Sequence, residues 1–197
     1  MLPAGRRSEL EAARDAGIAD VISGHCLRRG VLVGRHAQRE SVADQVDGGA
    51  RLLTLLGTAG VGKTRLALEL AQDLRSGFSR TVFCDLTEAR DMLGVAQRLS
   101  RALQVRLRDS DPVGHLTEVL AQESTLLVLD NLEQITEVIG PMVSGWLAKS
   151  ETLQILATSR LRVGVEAEVV APVQPLTLLE GVDLFVRRGH TADPGFE

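Results

Sequence analysis

The sequence contains no tyrosine, four phenylalanines and one tryptophan among its 197 residues. That leaves little material for a base-stacking platform or an aromatic sugar-binding cleft. Cysteine is equally scarce. Cys26 and Cys84 stand far apart in the chain without a nearby His pair, which excludes a zinc knuckle and a disulfide framework. Both are expected to be buried or free thiols. No window approaches the roughly eighteen consecutive apolar residues that a membrane-spanning helix needs. The start, Met1 to Arg7, runs into charged residues without an apolar secretory core. A cytoplasmic protein is the expectation. Lysine is nearly missing too: of 22 basic residues, Lys63 and Lys149 alone are lysines, so each is conspicuous.

What is present is ordinary for a folded chain. Hydrophobic residues make up 44% and charged residues 24%, which excludes wholesale disorder. The length fits one domain with a short appendage. A net charge of −4 argues against direct nucleic-acid binding by the chain as a whole.

Residues 1–30 carry scattered Gly and acids with Arg6, Arg7, Arg14, Arg28 and Arg29, and read as a linker or flexible extension. Ser8 to Ala16 could form one short helix with a thin apolar face. From Val31 the pattern alternates. Leu52–Leu56, Thr81–Leu86, Thr125–Leu129, Leu153–Ala157 and Glu168–Ala171 are short apolar runs expected as strands. Between them, apolar residues recur at helical spacing: Leu66, Ala67, Leu70 and Leu74; Met92, Val95, Leu99 and Leu103; Ile135, Val138, Ile139, Met142 and Trp146. Asp111-Pro112 resembles a helix cap followed by proline at the first helical position, opening a helix through Gln122. Gly140-Pro141 is expected to kink or split its helix. Leu179, Val182, Phe185 and Val186 mark a last helix. This alternation predicts an α/β fold with a five-stranded parallel sheet covered on both faces.

Gly57-Thr58-Ala59-Gly60-Val61-Gly62-Lys63-Thr64 fits G-x-x-x-x-G-K-[ST] between the first strand and its helix. A loop that wraps a polyphosphate must curve tightly with its N–H groups inward, which Gly57, Gly60 and Gly62 permit. The helix start aims its positive end at the anion. Lys63 can bridge phosphates and the Thr64 hydroxyl can ligate magnesium. Arg65 follows directly and joins these candidates. Leu126 to Asp130 places a carboxylate at a strand's carboxyl end, where it can hold magnesium through its water shell. Asn131 comes next, and a carboxamide cannot accept a proton from water. Glu133, the nearest carboxylate beyond, is a weak base candidate, more simply a favourable charge at a helix N-terminus. Slow or absent hydrolysis is expected. Arg160, at the end of the fourth strand, either touches a γ-phosphate or is solvated.

With these residues in view, the sequence resembles the STAND class of P-loop NTPases, the NB-ARC-like switch ATPases, over residues 31–196. The resemblance stands on Leu32-Val33-Gly34-Arg35, the loop Gly57–Thr64, Leu126–Asn131, Ile155–Arg160, and Pro175-Leu176 before Leu184-Phe185. It implies a three-layer α/β/α sandwich, ATP or ADP with Mg2+ as cofactors, and signalling or transcriptional regulation. It implies that Val33, Gly34 and Arg35 lie near adenine and ribose, with Pro175 a weaker candidate there. It makes Lys63 and Thr64 the phosphate and magnesium residues, Asp130 the magnesium-associated acid, and Arg160 the γ-phosphate sensor. His36 departs from the family's usual acidic residue. Residues 31–177 are then the nucleotide-binding core and 178–197 the start of a helical lid. The family continues further, into a winged helix. That implies a fragment or a short product completed by partners, with an exposed and weakly held nucleotide.

The leading expectation is therefore a regulatory module whose nucleotide state controls self-association or a protein partner. A small-molecule or nucleoside kinase is the alternative, with Asp85 as acceptor-site carboxylate and Arg98, Arg101, Arg106 and Arg108 as a lid. A DNA-associated ATPase of the AAA type stands third, because Asn131 occupies the place of its catalytic Glu and no basic stripe is present.

Overall fold

Uniformly apolar strands demand cover on both faces, and the computed structural model, which describes residues 32–193, supplies it. The strands are β1 (Leu52–Leu56), β2 (Arg80–Asp85), β3 (Thr125–Asp130), β4 (Leu153–Ser159) and β5 (Glu168–Pro172). They form one sheet in the order β2-β3-β4-β1-β5, and every pairing is parallel. The expected residues 1–30 linker, the Ser8–Ala16 helix, Cys26 and the last four residues lie outside the described part.

Alternate residues of each strand feed two separate cores, as the period of two requires. On one face Leu53, Leu55, Leu126, Val128 and Leu156 pack against helices α1 (His36–Asp47) and α2 (Lys63–Leu74). On the other, Leu52, Val82, Leu127, Leu129, Leu153 and Ile155 meet α3 (Met92–Ala102), α4 (Pro112–Leu120) and α5 (Thr136–Lys149). The result is the three-layer α/β/α sandwich. Trp146 of α5 is fully buried in the larger core.

Local chemistry sets the helix starts. Asp111 caps α4 through the N–H of Gly114, with Pro112 at the first helical position, as expected. Asp91 caps α3 through Gly94 in the same way. The final helix, α6 (Leu178–Ala192), begins with a capping box between Thr177 and Glu180.

Of the two outcomes expected at Gly140-Pro141, a split does not occur: α5 is one helix from Thr136 to Lys149. Pro141 is exposed, and the carbonyl its missing N–H would have met belongs to Glu137, also exposed. Water can serve that carbonyl, while Ile139, Met142 and Val143 are anchored in the core on either side.

The register aligns the carboxyl ends of the strands. Leu56 of β1 faces Ser159 of β4 and Pro172 of β5, and Asp85 of β2 faces Asp130 of β3. Between β1 and β2 the chain crosses two strands, and β4 later returns to β1's side. The crevice of an open parallel sheet lies at such a reversal.

Candidate functional site

The loop Gly57–Gly62 leaves β1 at that edge. Its first residue is tied to the sheet, since the Gly57 N–H donates to the Ser159 carbonyl at 3.2 Å. A Cβ at Gly57 would sit 2.6 Å from the Val173 carbonyl, so the loop's base admits no side chain. Gly60 and Gly62 hold φ of 75° and 97°, left-handed conformations that L side chains rarely adopt. Thr58, Ala59 and Gly60 form an exposed crest, and Val61 turns back against the core.

Lys63 opens α2 with its side chain held within the loop. The residue is buried, and Nζ donates to the carbonyls of Gly57 at 2.9 Å and Thr58 at 3.0 Å. Thr64 Oγ1 lies 2.8 and 3.0 Å from the two Asp130 oxygens. Arg65 points along α2 to an ion pair with Glu69 at 2.6 Å.

Asp130 is 3% exposed and surrounded by donors. The hydroxyls of Thr64 and Thr158 and the Asn131 Nδ2 all donate to it. Burial nonetheless raises its pKa above the ordinary aspartate value, against the hydrogen bonds from Thr158 and Thr64 and with the help of Asp85 and Glu133 nearby. Thr158 lies within the Ile155–Arg160 segment, but no role for it was legible there. Its hydroxyl also accepts the Asn131 N–H at 3.2 Å.

Asn131 adopts the left-handed region, φ 64° and ψ 53°. Its amide Nδ2 is engaged by Thr87 Oγ1 at 2.8 Å, Asp130 Oδ2 at 3.1 Å and Asp85 Oδ1 at 3.3 Å. Burial pushes the Asp85 pKa up, but the Thr87 and Asn131 hydrogen bonds and the Arg98 charge outweigh it and hold the carboxyl below its ordinary value. The neighbouring Cys84 thiol is driven up to about 12, chiefly by burial, so it stays protonated. Glu133 accepts from Arg160 Nε at 2.8 Å.

The segment Val33-Gly34-Arg35 reaches the same region by a different route. Arg35 is buried, and its guanidinium donates to the carbonyls of Val61 at 3.1 Å and Gln174 at 2.6 Å and to Gln38 Oε1 at 3.1 Å. It braces the phosphate loop against the segment after β5. A Cβ at Gly34 would fall 2.2 Å from Glu180 Oε1, so the start of α6 lies directly against Gly34. Val33 is buried, while His36 and Pro175 are exposed.

Three of the residues named for the kinase alternative have partners of their own. Asp85 is taken up by Thr87 and Asn131, Arg98 pairs with Glu88, and Arg108 pairs with Glu118. Among the described residues no helix is long and apolar enough to cross a membrane.

Comparison with known proteins adds the family. A family model described as an AAA domain matches residues 46–165. A Mycobacterium tuberculosis protein named as an HTH-type transcriptional regulator is 36% identical over 152 residues, covering 74% of this chain and 17% of that protein. The chain thus spans less than a fifth of that relative's length. Among solved structures, Cdc6p from Pyrobaculum aerophilum superposes with a TM-score of 0.65 at 17% identity, covering 86% of this chain and 52% of its own. A STAND protein with a tetratricopeptide repeat sensor from Pyrococcus horikoshii gives 0.57 at 16% identity, covering 85% and 26%. At such identities the likeness is one of fold. With its loop at the β1 edge and Asp130 on β3, the chain belongs to the AAA domain family of P-loop NTPases.

Proposed function

We propose that the chain is an ATP/ADP-binding regulatory switch of STAND, NB-ARC-like type, with slow or absent hydrolysis, that controls self-association or a signalling or transcriptional partner. The observation that carries this reading is the meeting of buried Lys63 and Asp130 with half-buried Thr64 at the mouth of the loop. Lys63 Nζ rests on two loop carbonyls, and phosphate oxygens are stronger partners for an ammonium group. Thr64 and Asp130 fit the hydroxyl and carboxylate that a hard cation takes. Among the described residues no group of three or more His, Cys, Asp or Glu could hold a metal ion. Mg2+ would therefore draw its remaining ligands from nucleotide phosphates and water, as it commonly does.

Slow hydrolysis follows from the same contacts. Asn131 cannot act as a base, and its amide is engaged by Asp85, Thr87 and Asp130. Glu133 is occupied by Arg160. A switch needs no turnover, only different contacts with ATP and ADP. In this reading Gly57–Thr64 and Arg160 face the phosphates, while Arg65 is turned to Glu69. Val33, Gly34 and Pro175 face the adenine side, and Arg35 shapes that side by bracing the loop. Residues 31–177 form the core and 178–197 begin a lid. The relative's name supports a transcriptional output.

Mass analysis of the nucleotide released on denaturation is the direct test, followed by titration with ATP and ADP in Mg2+. An adenine nucleotide bound with turnover far below the typical enzyme value of about 10 per second is expected. Absence of bound nucleotide together with no heat on titration overturns the reading.

A further inference from the structure

Asn131 turns the chain sharply at the end of β3, and Leu132–Gln134 follow as a single 3-10 turn anchored by the buried Leu132. That turn swings Glu133 back over the end of β4, where it meets Arg160. The partners are unequal: the Glu133 side chain is 13% exposed and that of Arg160 is 50% exposed. The second Glu133 oxygen, Oε2, is buried with no hydrogen-bond partner. The carboxylate is the fixed member and the guanidinium the movable one.

Arg160 follows Ser159, whose carbonyl receives the Gly57 N–H, so it stands at the rim of the phosphate loop. Its Nε is engaged by Glu133, so an anion in the loop that claims the guanidinium must draw it from that carboxylate. A triphosphate extends one phosphate further than a diphosphate. Its terminal group would compete with Glu133 for the guanidinium, and a diphosphate would not.

We propose that Glu133 is a positioning residue that sets the preference between nucleoside triphosphate and diphosphate, by restraining Arg160 until a terminal phosphate draws it away. This rests on the nucleotide reading above. The Glu133–Arg160 contact is half-exposed on one side, so exchange is cheap. Once Arg160 leaves, Glu133 keeps a buried carboxylate without a cation, close to Asp130. That cost falls on the triphosphate state alone. Neutralising Glu133 removes it, so the variant should bind triphosphate more tightly, the opposite sign from losing a favourable phosphate-site contact.

The test is calorimetric titration of the whole 197-residue chain with ADP and with the imido analogue of ATP, in Mg2+ at low salt. Glu133→Gln is expected to tighten the triphosphate analogue about threefold while ADP stays unchanged. Glu133→Asp, which keeps the charge, should return the ratio toward that of the unaltered chain. Arg160→Gln should weaken the analogue about tenfold, leave ADP alone, and cancel the Glu133→Gln effect in the double variant. An unchanged triphosphate-to-diphosphate ratio in Glu133→Gln overturns the proposal, as does equal tightening in the absence of Arg160. Lost turnover with unaltered affinities would make Glu133 a base instead. If the unaltered chain binds neither nucleotide, the nucleotide reading fails and this one with it.

Discussion

Helices α2 and α6 are both written with apolar residues at helical spacing, yet they end in opposite environments. In α2, Leu66, Ala67, Leu70 and Ala71 are completely buried against the sheet. In α6 no residue is buried, and Leu178, Leu179 and Phe185 are 85%, 82% and 65% exposed. Periodicity therefore announces a helix and its apolar face, while burial requires a complementary surface at the right place. The site divides along the same line. Its loop side, where the proposed reading puts the phosphates, is built of mostly buried polar groups on strand and helix ends. Its other side depends on Arg35 and on a few residues at the start of α6.

Substitutions can break or sharpen this contrast. The largest effect is expected from Lys63→Ala, which removes the buried ammonium. Titration should show ATP and ADP affinity falling by about tenfold or more, and unchanged affinity would remove Lys63 from the site. Next is Arg35→Ala. Losing the guanidinium strands the Val61 and Gln174 carbonyls, and thermal or urea unfolding should register a loss of about 2 kcal/mol. If stability holds and only nucleotide binding falls, Arg35 serves the ligand and not the brace.

A smaller effect is expected from Asp85, and it has a pH signature. Its folded pKa lies below the ordinary value. The stability it contributes is thus complete above the unfolded pKa of about 4 and lost as pH falls through the folded value. Asp85→Asn should lower the melting temperature by about 2 °C at pH 7, and by progressively less as pH falls below about 4. Asp130 runs the other way, because its folded pKa is raised. Its contribution is present below the unfolded pKa and disappears as pH rises through the folded one. The smallest effect belongs to α6: Phe185→Ser should change the unfolding free energy by less than about 0.5 kcal/mol, as exposed positions usually do. A larger loss would show that α6 is held more firmly than its exposure indicates.

Much of the fold was legible because its signals are local. Each strand is a short apolar run, and each of these five elements appears within one or two residues of its expected bounds. Asp111-Pro112 capped its helix because a side-chain oxygen and a ring-fixed φ act within one turn. That Pro141 leaves its helix unbroken was not legible, because its cost depends on where the orphaned carbonyl lies, and here Glu137 is exposed. The phosphate loop was legible for the same reason as the caps: eight consecutive residues carry it. Thr158 was not, because its hydroxyl matters only once β4 lies beside β3, bringing it to a carboxylate 28 residues away. Arg35 was read as a ligand-side residue, and its contact with Gln174, 139 residues on, was invisible.

The sequence by itself determined the strands, the helices, the glycine loop and the chemical types available at its mouth. Each of these follows from interactions between residues a few positions apart. Tertiary structure decided the strand order, the surrounding of Asp130 by hydroxyls, the pairing of Glu133 with Arg160 and the exposure of α6. Those depend on which distant segments meet, and hydrogen bonds and burial act only across the few ångströms that folding closes.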